Sequence, residues 1–582
     1  MFVCVFILCI IKSGQILIYW REKNMNMLNL ILFLVIFIVL IAIIGKYLSN
    51  IINFKQYKGD KFFSKIDNCI YKICGISKEN MTFKQYAIAL LMSNFIMFII
   101  GFIILKIQGL IPLLNSEHVK GMSTSLSFNT AISFITNTDL QHYSGVSAIS
   151  NLSQMLVIIF LMFVAAATGC AIGAAFIRSV AGKSKTLGNF YVDFTRALTR
   201  VLIPGALIIG IILIATGVPE TLNGMITIKT IEGTFQNIAM GPIAALEAIK
   251  FLGTNGGGFF AANSATPFAN PNLISNFIEI LAMTVIPGSF VVSFGLTIKN
   301  KKQSVVIIIT LLVLVLISFF VMYYGNSLGN SALQSLGLSK EFSGSTGQDL
   351  RFGNFGTSLF TTISTAFTTG ATNSALNAAN PITIFMALWN MSLNTIFGGI
   401  GSGFMNVIMY VLLTVFICGL MVGRTPEFLG KKVEAREIKL IAIAILIHPI
   451  LILFSTAFTL ISGIGVHSGV SLSFHGMSQV LYEFTSASAN NGSLLGGFAN
   501  STGYWNILTG IIMLIARYAP ILLLLAAGLS LANKRTVPET VGTFKTDNAI
   551  FGVMLFCIIV VIGALTFLPA LGLGPITEFL KF

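Results

Sequence analysis

The chain alternates long apolar stretches with shorter polar segments that are rich in lysine, glycine and asparagine. A transmembrane α-helix needs about 20 consecutive apolar residues, because the hydrocarbon core of a bilayer is about 30 Å thick. The chain contains ten such stretches, which predict transmembrane helices at 27–46, 84–106, 152–177, 197–217, 277–298, 304–324, 403–423, 438–463, 505–530 and 548–570. Another apolar stretch, 382–402, is broken by FGGIGSG at 397–403, and we interpret it as a partly helical or re-entrant piece.

Residues 1–26 precede the first clean span. This segment is apolar, but Lys12 interrupts it, and it lacks the small-residue cleavage site of a signal peptide. Met25 and Met27 open the next apolar stretch at once. We therefore interpret 1–26 as an N-terminal extension that is added by a misassigned, upstream translation start.

Composition and charge support a membrane protein. The 582 residues are 55% hydrophobic and 9% charged, whereas soluble domains carry about 25% charged residues. The formal net charge is +15, but 24 of the 35 lysine and arginine residues lie on one side of the predicted topology, in the segments 46–84, 178–200, 299–302, 424–439 and 534–545. Basic residues favour the cytoplasmic side. The charge thus indicates a multi-pass protein of a cell membrane, in contact with the lipid bilayer, and argues against nucleic acid.

Four outer loops share one design, a short apolar stretch followed by a polar cluster. Their sequences are GMSTSLSFNTAISFITNT (121–138), AMGPIAALEAIKFLGTNGGG (239–258), FGTSLFTTISTAFTTGATN (355–373) and GMSQVLYEFTSASANNGS (476–493). The clusters centre near 137, 255, 370 and 491, at spacings of 118, 115 and 121, which indicates an internal repeat. The predicted units are repeat 1 at 84–177, repeat 2 at 197–298, repeat 3 at 304–423 and repeat 4 at 438–530, with extra helices at 27–46 and 548–570.

The apolar stretches in these loops are too short to span the bilayer and too apolar for exposed loops. Non-helical backbone at bilayer depth is tolerated only where it is buried in protein or lines a cavity. A single cluster of this kind is usually a turn, but four copies at a regular period favour a ring. The sequence therefore predicts an all-α polytopic membrane protein with four pseudo-symmetric helix–pore loop–helix repeats around a central selectivity filter.

The polar clusters contain the residue types of a potassium filter. Backbone carbonyls replace the hydration shell of K⁺ in such filters, and glycine adopts the required backbone conformations freely. We assign this role to Gly256, Gly370 and Gly492, with Asn137 in the corresponding place of repeat 1. Side chains that add oxygens or hold the loops are predicted at Thr136, Thr254, Asn255, Thr369, Asn490 and Asn491. The short helices direct their partly negative C-terminal ends at the centre, which favours a cation.

Three motifs carry a resemblance to a known family: GTNGGGFF (253–260), NNGSLLGGF (490–498) and GLMVGRTPEFLGKKVE (419–434). From about residue 27 onward, the chain resembles the potassium-binding A subunit of the bacterial Kdp potassium-transporting P-type ATPase, in the superfamily of K⁺ transporters. The resemblance implies that the chain selects and carries K⁺. It also implies a B subunit that hydrolyses ATP through an aspartyl phosphate, and smaller C and F subunits.

The cytoplasmic motif VGRTPEFLGKK (422–432) has two interpretations. It is a positive-inside anchor, or it is a docking surface for the pump subunit, with the candidates Arg424, Glu427, Lys431 and Lys432. Thr425 and Pro426 are suited to the start of a short helix.

Arg517 is the one basic residue deep in a predicted span, and a charge there is usually paired or functional. We interpret it as a barrier below the filter that prevents a cation from leaving straight into the cytoplasm. The alternative is a structural charge that is paired with a carbonyl or with an acidic residue such as Glu483.

The chain lacks an ATPase motif of its own. VAGKSK (180–185) contains GKS, but Ile177 stands where a phosphate-binding loop needs its first glycine. We therefore expect no nucleotide bound by this chain, with K⁺ as the transported ion. The function that we expect is K⁺ import as the non-hydrolytic subunit of an ATP-driven complex. A stand-alone, voltage-driven Trk-type channel or symporter and a non-transporting receptor or scaffold are the alternatives.

Overall fold

A computed structural model describes residues 2–115, 117–329, 331–339, 342, 344–421, 423, 425–536 and 544–581, without the side chains of 2–25, 331 and 332. Within these residues, ten helices are long and apolar enough to cross a membrane, which confirms the predicted number. They are Asn26–Ile52, Phe83–Leu110, Asn151–Val180, Phe190–Ala215, Leu273–Thr297, Lys301–Leu328, Ser402–Met421, Ala435–Ile461, Gly503–Ala532 and Ala549–Leu571. The first belongs to a longer helix, Phe2–Ile52, so the predicted extension continues as helix; its dispensability stays a prediction.

Several of these spanning helices have irregular turns. The third contains a π-helical segment at Gln154–Ile159, and the fourth contains one at Leu198–Leu202. The tenth continues through Gly572–Ile576 into Thr577–Lys581. The connecting segments hold the shorter helices Asp60–Ile73, Gly145–Ala148, Asn263–Ala265, Ser331–Ser335, Leu376–Ala378, Pro381–Leu393 and Ile464–His467.

Four short helices, here called the pore helices, precede the polar clusters. They are Thr124–Ile135, Ile243–Leu252, Gly353–Ala366 and Phe474–Ala489. Each lies between two consecutive spanning helices, so the predicted order of helix, pore loop and helix occurs four times. The first and fourth begin in the same way, because the side chains of Ser123 and Ser473 accept hydrogen bonds from backbone N–H groups in the first turn.

The broken stretch before the seventh spanning helix is partly helical, as predicted. The helix Pro381–Leu393 ends at Asn394, whose φ is 46°, and helix resumes only at Ser402. The intervening segment, residues 394–401, is called the break loop below. Gly401 has a φ of 69°, and a Cβ there would overlap the carbonyl oxygen of Gly169 in the third spanning helix.

Two small hairpins occur that the sequence did not predict. Strands β1 (Met225–Lys229) and β2 (Phe235–Ala239) pair in antiparallel fashion in the outer loop of repeat 2. Strands β3 (Glu427–Phe428) and β4 (Lys431–Lys432) form a second hairpin after the seventh spanning helix. The expectation of a short helix at Thr425 and Pro426 is therefore wrong, since Leu429 and Gly430 adopt positive φ and turn the chain back.

The first spanning helix, which stands outside the repeats, packs along the fifth. Gly45 permits this close approach, because a Cβ there would lie 2.6 Å from the Cβ of Val292. The Ser293 hydroxyl also donates a 2.9 Å hydrogen bond to the Gly45 carbonyl. Helices in a membrane associate through close packing at small residues and through interhelical hydrogen bonds, because lipid removes the hydrophobic driving force.

Candidate cation-binding site

Each pore helix is followed by a residue in the left-handed region, and these four residues fix the register of the ring. They are Asn137 (φ 60°), Thr254 (φ 49°), Thr368 (φ 48°) and Asn490 (φ 52°). The next two positions are Thr138 and Asp139 in repeat 1, Asn255 and Gly256 in repeat 2, Thr369 and Gly370 in repeat 3, and Asn491 and Gly492 in repeat 4.

This register corrects two of the sequence-based assignments. Asp139, rather than Asn137, corresponds to the three glycines, and Thr368, rather than Thr369, corresponds to Thr254. Thr136 precedes the ring, because it caps its pore helix and its hydroxyl bonds to the Ile132 carbonyl at 2.8 Å. The sequence-based assignments matched the four polar clusters by residue type, whereas the position of the backbone turn defines which residues are equivalent.

The four loops close into a ring. A Cβ at Gly256 would lie 2.8 Å from the Thr369 carbonyl oxygen and 2.9 Å from that of Asn491. A Cβ at Gly370 would overlap the Asn491 carbonyl oxygen, so repeat 3 closely approaches repeat 4. A Cβ at Gly492 would overlap the Thr138 carbonyl oxygen, so repeat 4 approaches repeat 1. These glycines are needed because the carbonyls of neighbouring loops occupy the space of their side chains.

Asparagine side chains hold neighbouring loops together. The Asn137 amide donates to the Thr254 carbonyl at 2.7 Å, which joins repeats 1 and 2. The Asn490 amide donates to the Thr138 hydroxyl at 2.8 Å, and the Asn491 amide donates to the Ser364 carbonyl at 3.0 Å. These bonds join repeat 4 to repeats 1 and 3.

Several oxygens in and beside the ring are buried without a hydrogen-bond donor. They include Asn137 Oδ1, Asn255 Oδ1 and Thr369 Oγ1. A buried polar atom without a partner costs about 1–3 kcal/mol. A group of unpartnered oxygens beside a ring of carbonyls is therefore suited to a cation, which supplies the missing positive charge.

The break loop lies directly below the ring. Its Ile400 N–H donates to the Thr254 hydroxyl at 3.2 Å, and a Cβ at Gly399 would lie 2.7 Å from the Thr368 hydroxyl oxygen. A cavity of about 70 Å³ begins there, and its lining includes Thr368, Asn490, Ser402, Asn406, His448 and Arg517. The ring and Arg517 thus share one space.

Arg517 is 6% exposed, and its Nη1 donates to the Ser402 hydroxyl at 3.0 Å. Among the described side chains, no carboxylate lies within ion-pair distance of it. The proposed pairing with Glu483 is wrong, because the Glu483 carboxylate contacts His142 Nε2 at 2.7 Å. His142 and Glu483 join the loop of repeat 1 to the pore helix of repeat 4, a contact that no motif in the sequence revealed.

Three of the four candidate docking residues lie at the β3–β4 hairpin. Glu427 is half-buried, Lys432 is exposed, and Arg424 lies outside the described residues. Lys431 is 5% exposed and its Nζ has no hydrogen-bond partner in the described part of the chain. Burial lowers the pKa of Lys431 below its usual value.

Ten apolar helices and four pore-loop repeats define the class of this molecule: a multi-pass helical protein of the plasma membrane. Residues 31–580 match the family described as potassium-transporting ATPase A subunit, and the chain belongs to that family. This confirms the resemblance that the motifs indicated.

Curated relatives carry a matching name. The potassium-transporting ATPase potassium-binding subunit of Clostridium acetobutylicum is 52% identical over 557 residues, which cover 96% of this chain and all of the relative. The protein of the same name from Caldanaerobacter subterraneus subsp. tengcongensis is 47% identical and covers 95% of this chain and 99% of the relative. Among solved structures, the crystal structure of the potassium transporter TrkH from Vibrio parahaemolyticus has a TM-score of 0.49 at 13% identity, covering 84% of this chain and 97% of that chain.

Proposed function

We propose that this chain binds extracellular K⁺ at the ring and passes it inward as the potassium-binding subunit of an ATP-driven import complex. The observation that carries the proposal is the ring itself, in which carbonyl oxygens of one loop face the glycine of another. The relatives named as potassium-binding subunits support the choice of ion.

The ring residues divide the work between backbone and side chains. The carbonyls of Thr138, Thr369 and Asn491 supply oxygens at the ring, and the unpartnered Asn255 and Thr369 side-chain oxygens supply further ones. Carbonyl dipoles replace the hydration shell of the ion without adding net charge. Such a ring allows an ion both to enter and to leave again, as transport requires.

Arg517 acts as the barrier below the ring in this proposal. Its guanidinium lies in the cavity that Thr368 and Asn490 also line. A fixed positive charge in a site of low dielectric constant strongly repels a cation. An ion that has passed the ring is thus prevented from leaving straight into the cytoplasm.

The remaining functions belong to partners. A P-type B subunit hydrolyses ATP, and small C and F subunits complete the complex, while this chain binds no nucleotide. The docking candidate for the pump subunit is the β3–β4 hairpin, with Glu427, Lys431 and Lys432, together with Arg424, which precedes it in the sequence.

Energetics favour a pump over the voltage-driven alternative. A membrane potential supplies about 2.3 kcal/mol per 100 mV for one charge, and each tenfold concentration step requires about 1.4 kcal/mol. A potential of about 150 mV therefore sustains only about 2.5 decades of accumulation. Import from micromolar K⁺ into a cell at a few tenths molar needs about five decades, so ATP has to supply the remaining decades, about 2.5.

The test is Gly256→Ala in the full chain, produced with its partner subunits in cells that lack other K⁺ uptake. The added Cβ would press on the Thr369 and Asn491 carbonyl oxygens, so the K⁺ concentration for half-maximal uptake should rise at least about tenfold. Gly503→Ala is the matched control, because nothing lies within 4 Å of its Cβ. Unchanged K⁺ affinity and selectivity in Gly256→Ala, at normal membrane abundance, would refute the filter. Uptake that survives depletion of ATP at a constant membrane potential would favour the stand-alone transporter.

A further inference from the structure

The direction of each ring carbonyl is set by the N–H group that shares its peptide. In a trans peptide the C=O of one residue and the N–H of the next point in opposite directions. A carbonyl that points into the ring therefore requires an acceptor for the following N–H on the outer side. In this ring the relevant N–H groups belong to Asp139, Gly256, Gly370 and Gly492.

Three repeats supply this acceptor from a serine at one position of their own pore helix. The Asp139 N–H donates to the Ser133 carbonyl at 3.0 Å, and the Gly370 N–H donates to the Ser364 carbonyl at 3.3 Å. The Gly492 N–H donates to the Ser486 hydroxyl at 3.0 Å.

Repeat 2 has Lys250 where the other repeats have serine. Its carbonyl accepts from the Asn255 N–H at 2.7 Å, as the serine carbonyls do for the same position in their repeats. The Gly256 N–H, however, donates to the Asp139 carboxylate of repeat 1, at 3.0 Å from Oδ2. The acceptor that aims the Asn255 carbonyl is thus an ionisable side chain of a neighbouring repeat.

The carbonyl of Gly256 is also held from outside its pore helix. The Asn263 amide donates to it at 2.7 Å, and the Oδ1 of the same amide accepts from Lys250 Nζ at 2.5 Å. Lys250 is fully buried and additionally bonds to Glu247 Oε2 at 2.9 Å and to Ser264 Oγ at 3.1 Å. Lys250 therefore fixes which end of the Asn263 amide faces the ring.

We infer that Asp139 is a positioning residue for ion selection, because it anchors the Gly256 N–H and so aims the Asn255 carbonyl into the ring. This inference rests on the proposed function. Asp139 lies behind the loop of repeat 2, beside Gly257, and among the described side chains no basic group lies within ion-pair distance of it. Its role is to accept a hydrogen bond, and the ion is bound by the carbonyl that this bond directs.

The test compares two substitutions of similar size, Asp139→Leu and Asp139→Asn, in the full chain with its partner subunits. Leucine removes the acceptor, whereas asparagine keeps an amide oxygen for the Gly256 N–H. We measure the ratio of half-saturating concentrations for Rb⁺ and K⁺, which does not depend on protein abundance. Asp139→Leu should reduce this discrimination about tenfold, the effect of leaving one buried N–H without an acceptor. Asp139→Asn should stay within about threefold of the unsubstituted chain.

Two outcomes would overturn the inference. Discrimination that is unchanged in Asp139→Leu shows that the Gly256 N–H needs no anchor. Equal loss in Asp139→Asn and Asp139→Leu shows that the negative charge acts on the ion itself. If Asp139→Leu does not insert, Asp139→Ala replaces it in the same comparison. Glu232→Gln, an exposed carboxylate in the turn between β1 and β2, is the control. Gly256→Ala separates this inference from the proposed function. If both Gly256→Ala and Asp139→Leu leave ion selection intact, the filter proposal fails. If Gly256→Ala impairs ion selection and Asp139→Leu does not, only the role of Asp139 is refuted.

Discussion

Arg517 in the ninth spanning helix donates a 3.0 Å hydrogen bond to Ser402, the first residue of the seventh. In the described lining of the cavity below the ring, Arg517 is the only side chain with a full positive charge. The bond attaches this side chain to the end of the break loop. Arg517, the proposed barrier, is thus fastened to the irregular backbone beneath the ring.

Arg517→Ala should create a passive K⁺ leak, because the repulsion below the ring is removed. Arg517→Lys should retain much of the block, since charge rather than the planar guanidinium matters for repulsion. The measurement is K⁺ flux in proteoliposomes without ATP, normalised to inserted protein. The exposed Arg535→Ala is the control. A purely structural Arg517 would instead lower membrane abundance in both variants, and normal insertion without leak would exclude the barrier.

Asn137→Leu should weaken K⁺ binding, because it breaks the bond between repeat 1 and the Thr254 carbonyl. We expect about a tenfold rise in the half-saturating K⁺ concentration, comparable to the loss of one buried hydrogen bond. Uptake kinetics in intact cells measure this. The exposed Asn223→Leu in the outer loop of repeat 2 should leave the kinetics unchanged; equal effects in both would mean that the bond has no specific role.

Gly401→Ala should destabilise the chain more than Gly469→Ala. Both glycines have positive φ, which costs an alanine about 1–2 kcal/mol. Only at Gly401 would the new Cβ also overlap a carbonyl oxygen, that of Gly169, whereas nothing lies within 4 Å at Gly469. Thermal midpoints of the purified variants test the difference. Equal midpoints would show that the break loop shifts freely away from the third spanning helix.

Lys431→Met should raise the unfolding free energy of this chain by about 1 kcal/mol, because a buried ammonium without a partner is removed. The exposed Lys432→Met should have little effect on stability. If the β3–β4 hairpin docks the pump subunit, co-purification of that subunit should fall in Lys431→Met despite the gain in stability. Stability and co-purification that both stay unchanged would indicate a simple positive-inside anchor.

Much of the fold follows from the apolar pattern of the sequence, because bilayer thickness dictates the length of each span. The break between Pro381–Leu393 and Ser402–Met421 is visible for the same reason, since glycines interrupt the apolar run. The β1–β2 hairpin cannot be predicted from the apolar pattern, because strands that short depend on contacts with the rest of the outer surface.

The register of the ring could not be predicted from residue types alone. Asn137 resembles a filter residue in composition, but the backbone turns at Asn137 and again at Asp139, whose φ is 57°. A carboxylate thus occupies the position of a glycine because its side chain has an acceptor role across the repeat boundary. The hydrogen bond from the Gly256 N–H to Asp139 crosses from one repeat to another, so one repeat considered alone does not reveal it.

The closure of the ring between Gly492 and Thr138 also determines when during biosynthesis the site exists. These residues lie more than 350 positions apart, so the loop of repeat 1 emerges from the ribosome long before the loop that completes the ring. A nascent chain that stalls after repeat 3 carries an open arc of carbonyls and no enclosed path. The enclosed site is therefore completed only by the last of the four repeats to be synthesised.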